Sequence, residues 1–213
     1  MKAVNPIRMG IAGLGRAGGL DPSGWKMHCT ELQGREDKFR IVAACDPIPL
    51  RRAQMVERYG CAPYSRIEAL VADPSVELVD IATRSCDHVR HAILALRAGK
   101  HVFLEKPMAA DLAGAIALRK AADRSKGRLF IRHNRRFESA FMRIREIIAS
   151  GVLGDVFEIK LRRNGFQRRA DWQTIKRFGG GQLLNWGPHI IDHALRFLDS
   201  PVAGVWGDLK RIS

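Results

Sequence analysis

Three short stretches hold residue types whose spacing could do chemistry. The first, Gly13-Leu14-Gly15-Arg16-Ala17-Gly18, is a GxGxxG directly after the apolar run Ile7–Ala12. Glycines there allow a tight turn and let backbone N–H groups approach a pyrophosphate, with Arg16 and Ala17 between them in the turn. A second apolar run ends at Asp46, whose carboxylate could accept hydrogen bonds from an adenosine ribose. Asp46 lies 28 residues beyond Gly18, against about 20 in the usual fingerprint. The turn-like residues 19–24 account for the excess and place the start of the following helix near Trp25. The same hexapeptide also reads as a plain turn in a chain with 20 glycines. The strand before it and the carboxylate after it favour a dinucleotide. Asp46 points to NAD, and Arg51 and Arg52 leave NADP open.

The second stretch is Glu105-Lys106-Pro107, just past the run His101–Leu104. A hydride leaving an alcohol carbon requires a group to take the hydroxyl proton. A lysine does this when burial or neighbouring charge lowers its pKa towards neutrality. The alternative is a surface lysine opening a turn. The third stretch holds His189 and His193, four residues apart with Asp192 between. One helix face could carry both histidines, but a metal site needs at least a third ligand, and no metal is expected. Asp192 is the kind of group that accepts a substrate hydrogen bond. Trp172, in the basic loop 168–172, could lie against the apolar face of a polyol, or simply belong to a solvated loop.

The elements that must position these groups alternate. Apolar runs at Ile7–Ala12, Arg40–Cys45, Leu78–Ala82, His101–Leu104 and Leu129–Ile131 suit strands buried on both faces. Between them, Leu50–Tyr59, Asp87–Ala98 and Asp111–Arg124 have helical spacing. This α/β pattern predicts a Rossmann-type doubly wound parallel sheet, which binds ligands beyond the carboxyl ends of its strands. After residue 130 the pattern changes. A helix is expected over Glu138–Ser150 and another over Pro188–Leu198. Strands are expected at Asp155–Arg163 and Val202–Leu209, as in a partial α+β domain with a mostly antiparallel sheet. The expected division is thus 1–130 for dinucleotide binding and 131–213 for a second, partial domain.

Composition narrows the partners. With 46% hydrophobic residues the chain is an ordinary globular one. Its four cysteines have no CxxC spacing, and Lys2 is followed by no apolar signal segment. No apolar run is long enough to span a membrane, so a cytoplasmic setting is expected. Net charge is +14, of which +10 falls within residues 124–177. Such a surplus raises nucleic acid as a partner. No recognition-helix, zinc-finger or RNA-sheet motif accompanies it, and an anionic small-molecule substrate is the more economical reading.

Several segments in fixed order carry a family resemblance: the glycine turn, Ile81-Ala82-Thr83 with His88, Ala98-Gly99-Lys100-His101-Val102, Glu105-Lys106-Pro107, Asn134-Arg135-Arg136-Phe137, and Gly179-Gly180-Gly181 through Asp192. Together they resemble the glucose-fructose oxidoreductase/inositol dehydrogenase (Gfo/Idh/MocA) family of NAD(P)-dependent oxidoreductases. The resemblance implies a Rossmann domain, a second domain on a mostly antiparallel sheet, which it assigns to substrate and oligomerisation, and a sugar or polyol substrate. It implies Lys106 as catalytic lysine, Glu105 as a cofactor contact, and Thr83 and His88 on loops lining the cofactor. Asn134 and Arg135 would lie at the domain junction, and His189 would act beside the lysine. Members with a lysine–aspartate–histidine trio carry aspartate where this chain has Asn185. Asparagine orients a hydroxyl but takes no proton, which leaves acid–base duty to Lys106 and His189. Family members are longer, so the chain is expected to be a truncated form of an enzyme that is a homo-oligomer at full length. Transient hydride chemistry in glycoside hydrolysis, or an inactive dinucleotide-binding remnant, are the alternatives on the same fold.

Overall fold

A computed structural model describes residues 5–20, 28–165, 169–198 and 200–210. Its core is a six-stranded sheet of β1 (Ile7–Ala12), β2 (Phe39–Cys45), β3 (Ala62–Tyr64), β4 (Leu78–Ile81), β5 (His101–Glu105) and β6 (Leu129–Arg132). The order is β3-β2-β1-β4-β5-β6, and every pairing is parallel. Chain order reverses between β1 and β4, so a crevice opens beyond their carboxyl ends. The central strands β1 and β4 are buried on both faces over most of their length, whereas β5 and the edge strands β3 and β6 are only partly covered. Ile11, Val79, Ile81, Val102 and Leu104 are fully buried, together with Met55, Leu70, Leu96 and Leu118 from the helices.

The helices of this part are α1 (His28–Glu31), α2 (Pro49–Tyr59), α3 (Ile67–Ala72), α4 (His88–Arg97) and α5 (Leu112–Asp123). Local chemistry sets their ends. Pro49 opens α2 and Gly60 closes it in the left-handed region. Asp111 caps α5 by accepting from the Gly114 N–H at 2.7 Å. The expected strands and helices of this half are present, with ends shifted by a residue or so. The short edge strand β3 and α3 are additional to them. The expected helix start near Trp25 lies outside the described residues.

After β6 come a 3-10 turn at Asn134–Phe137, α6 (Ser139–Ala149), two 3-10 turns at Trp172–Thr174 and Lys176–Phe178, α7 (Gln182–Asn185) and α8 (Gly187–Phe197). The segments expected as antiparallel strands, 155–163 and 202–209, form no ladder with any described residue. A strand requires a partner for its backbone groups, and neither segment has one here. Their apolar side chains are correspondingly exposed: Phe157 at 97%, Val205 at 91% and Trp206 at 86%. No described helix is long and apolar enough to cross a membrane.

Candidate active site

The glycine turn follows β1 and packs against the loop after β4. Gly13 has φ +91°, and a Cβ there would lie 2.6 Å from the Ala82 carbonyl oxygen and 2.7 Å from the Thr83 nitrogen. Backbone thus passes backbone with no room for a side chain, and Gly13 lets the turn pack this closely. Gly15 is open by comparison; a Cβ would meet only the Arg51 guanidinium at 3.8 Å. Asp46 is buried at the end of β2, accepting from Leu14 N–H at 2.8 Å and Ile48 N–H at 2.9 Å. Arg51 pairs with the same carboxylate at 3.3 Å, and Arg52 donates to the Asp46 carbonyl at 2.6 Å. Residues able to hold a dinucleotide are therefore gathered at one sheet edge.

Beyond β5, Glu105 and Lys106 point different ways. The Glu105 carboxylate is engaged by Arg132 at 2.8 Å and His28 at 3.1 Å, and it accepts the Lys106 N–H at 3.0 Å. Burial works against its charge, but His28 and Arg132 hold its pKa down at about 2. The Lys106 ammonium reaches across to α7, donating to the Asn185 carbonyl at 2.9 Å and the Asn185 side-chain oxygen at 3.2 Å. Burial pushes its pKa below the usual lysine value; Arg135, Arg169 and Arg132 push the same way, and Glu105 opposes them.

His189, in the first turn of α8, is also buried, with Trp186 edge-on at 5.7 Å. Its Nδ1 is buried with no hydrogen-bond partner among the described residues. Burial, with Lys106 and Arg135 nearby, drives its pKa down to about 3. The imidazole is therefore neutral at physiological pH. The positive charge of Lys106 thus disfavours protonation of His189.

Other expected residues have different surroundings. His88 is buried at the start of α4, with Nδ1 2.7 Å from the Pro107 carbonyl oxygen and Nε2 3.1 Å from the Thr83 carbonyl oxygen. It ties together the two loops that flank the crevice and presents no free ring nitrogen to it. The Thr83 hydroxyl pairs with His91 at 3.1 Å. Asn134 is exposed in its turn. Arg135 stacks on Trp186, its guanidinium 4.2 Å from the ring centre, and Arg163 stacks there too at 3.4 Å.

Asp192, expected near a substrate, is instead held by both arms of Arg136, at 2.6 and 2.8 Å. That pair fastens α8 to the turn after β6. Trp172 is half-buried in a turn whose preceding residue, Asp171, pairs with Arg169 at 2.6 Å and Arg16 at 3.9 Å. This brings the loop 169–174 against the glycine turn. His193 stacks on Phe141 at 4.2 Å and bonds the Arg135 carbonyl, an environment separate from that of His189. Among the described residues no cluster of His, Cys, Asp or Glu could hold a metal.

Sequence reasoning missed His28, Asp80 and Arg132. Asp80 was a visible signal, because a carboxylate inside an apolar strand demands a buried partner.

Residues 7–133 match the profile of the oxidoreductase family with an NAD-binding Rossmann fold, and residues 141–213 match the GFO/IDH/MocA C-terminal domain. The chain is 31% identical over 206 residues to a scyllo-inositol 2-dehydrogenase (NADP(+)) of Bacillus subtilis, covering 95% of this chain and 54% of that protein. It is 35% identical over 191 residues to 1-carboxy-3-chloro-3,4-dihydroxycyclohexa-1,5-diene dehydrogenase of Comamonas testosteroni, covering 87% and 46%. The solved structure of an NAD-binding protein from Listeria innocua superposes with a TM-score of 0.80 at 29% identity, covering 92% of this chain and 56% of that one. The chain spans about half the length of the curated relatives it matches.

Proposed function

The chain belongs to the GFO/IDH/MocA oxidoreductase family with its NAD-binding Rossmann fold, and on that footing we propose that it is the cofactor-binding and catalytic part of an NAD(P)-dependent polyol or sugar dehydrogenase. The observation that carries this reading is the half-buried Lys106 ammonium, set at the carboxyl end of β5, bonded to Asn185 and near enough to His189 to lower its pKa. The open face at Gly15 fits a bound pyrophosphate, with Gly13, Arg16, Ala17 and Gly18 completing the turn. Asp46 would take the adenosine ribose, and Arg51 beside it is placed for a 2′-phosphate where NADP binds. When bound, the nicotinamide supplies the hydride acceptor. Lys106, its pKa lowered by burial, accepts the substrate hydroxyl proton. Asn185 orients that hydroxyl through its side-chain amide. His189, neutral, accepts a hydrogen bond from the substrate beside the lysine.

The relatives' names support a ring bearing neighbouring hydroxyls as substrate. The cations Arg135 and Arg169 near Lys106 support one that also carries a negative group. Residues 131–213 are assigned to substrate enclosure and to self-association of the full-length form. The free thiols Cys29, Cys45 and Cys61, all buried, support a reducing cytoplasmic setting.

The test is polyol-dependent reduction of NAD(P)+ followed by absorbance, in native protein and Lys106→Met. Turnover should fall on the order of 10²–10⁴-fold, the usual contribution of a positioned proton acceptor, with dinucleotide affinity retained. Equal turnover in the two proteins would contradict the reading.

A further inference from the structure

A second set of ionisable groups lies beneath the lysine, unused by the scheme above. Asp80 sits inside β4 at 1% exposure, where a lone carboxylate would be costly. Both its oxygens face Nδ1 of His28, at 2.7 and 2.9 Å, and Nε2 of the same ring faces Glu105 at 3.1 Å. A neutral imidazole carries one N–H and can donate to only one carboxylate. A ring held between two carboxylates is therefore an imidazolium. Burial opposes that charge, but Asp80 and then Glu105 lift the His28 pKa to about 9.

Register places the next link. Glu105 lies opposite Arg132 across β5 and β6, and Arg132 continues to Glu31 at 2.6 Å. Glu105 thus faces two cations on one side and bonds the Lys106 N–H on the other. The backbone N–H of His28 also donates to the Ala17 carbonyl at 2.9 Å, so one residue ties the glycine turn to the lysine loop.

We propose that His28 is a positioning residue for Lys106: clamped by Asp80, its imidazolium holds the Glu105 carboxylate in place and offsets that carboxylate's field at the ammonium. An uncompensated Glu105 would keep Lys106 protonated and unable to accept a proton. The groups facing His28 are Asp80 from β4 and Glu105 and the Phe103 ring from β5. Those facing Lys106 are Glu105, Arg132, Arg135, Arg169, Asn185 and His189. The inference rests on Lys106 being the proton acceptor, but its test needs no turnover.

Competitive acetylation of the chain with acetic anhydride, read by mass spectrometry of the Lys106 peptide across pH, reports the neutral fraction of that amine. In His28→Gln, Lys106 should be about threefold less reactive at pH 8 than in native protein, equivalent to about half a pH unit. Adding Asp80→Asn removes the stranded carboxylate but leaves Glu105 without its clamp, so the reactivity should recover only in part. A purely structural His28 would change stability and leave the Lys106 profile where it was, which would overturn the proposal. Nitrogen NMR of the native chain at pH 8 decides the matter even if His28→Gln does not fold. Two protonated ring nitrogens on His28 are expected, and a single one would refute the clamp. Unchanged turnover in Lys106→Met would sink the dehydrogenase reading and leave these two results standing.

Discussion

Replacing Gly13 by alanine separates a glycine that serves the fold from one that serves a ligand. The new methyl would lie 2.6 Å from the Ala82 carbonyl oxygen and 2.7 Å from the Thr83 nitrogen, in a backbone with φ +91°. Ordinary contact requires about 3.5 Å, so the turn and the end of β4 must separate by roughly 0.8 Å. The left-handed backbone costs a non-glycine residue about 1–2 kcal/mol, and forced overpacking about 1–3 kcal/mol more. A loss of about 2–5 kcal/mol lowers the melting temperature of a domain this size by roughly 5–15 °C. The displaced N–H groups also lose charge-assisted hydrogen bonds to a pyrophosphate, so NADH affinity should fall at least about tenfold. Gly15→Ala is the control. Its methyl meets only Arg51 at 3.8 Å, so stability should stay near native while the methyl intrudes on the ligand. Thermal unfolding and NADH fluorescence titration of the three proteins read both effects. A Gly13→Ala protein with native melting and native affinity would refute the steric argument. A Gly15→Ala protein with native affinity would place the dinucleotide elsewhere.

Other expectations follow from the ion pairs. The raised pKa of His28 means that its contribution to stability is complete below pH 6.5 and lost as pH rises through about 9. Urea unfolding should show stability falling across that window by up to about 1.4 kcal/mol per pH unit, a slope absent from His28→Gln with Asp80→Asn. Asp192 is shifted the other way; burial works against its charge, but the Arg136 hydrogen bonds keep its pKa below the usual carboxylate value. Asp192→Asn should cost about 1 kcal/mol at pH 7, and the difference from native should vanish as acid protonates the native carboxylate. Arg51→Ala should lower NADPH affinity more than NADH affinity, because only NADPH presents a phosphate to the guanidinium; an equal loss for both would remove Arg51 from selectivity.

Much of the sheet was legible because β4 and the carboxyl-terminal halves of β1 and β2 are largely buried on both faces and so read as apolar runs. The edge strand β3 was not, since Ala62-Pro63-Tyr64 is three residues long and contains a proline. Residue types identified Lys106 as a chemical group, but the cations around it come from β6, from the turn after it and from residue 169, distances no spacing rule reports. Asp192 shows the converse: its chemistry suggested a ligand contact, and packing committed it to Arg136. The alternation over 155–163 remains a strand pattern whose ladder requires partners that the described residues do not supply.

The most direct measurement is a crystal structure of the chain with NADH. The account predicts the pyrophosphate against the turn at Gly13–Gly18 and the nicotinamide ring between Lys106 and His189, with the Asn185 side chain alongside. A dinucleotide bound away from that turn, or a nicotinamide on the opposite side of the sheet from Lys106, would contradict it.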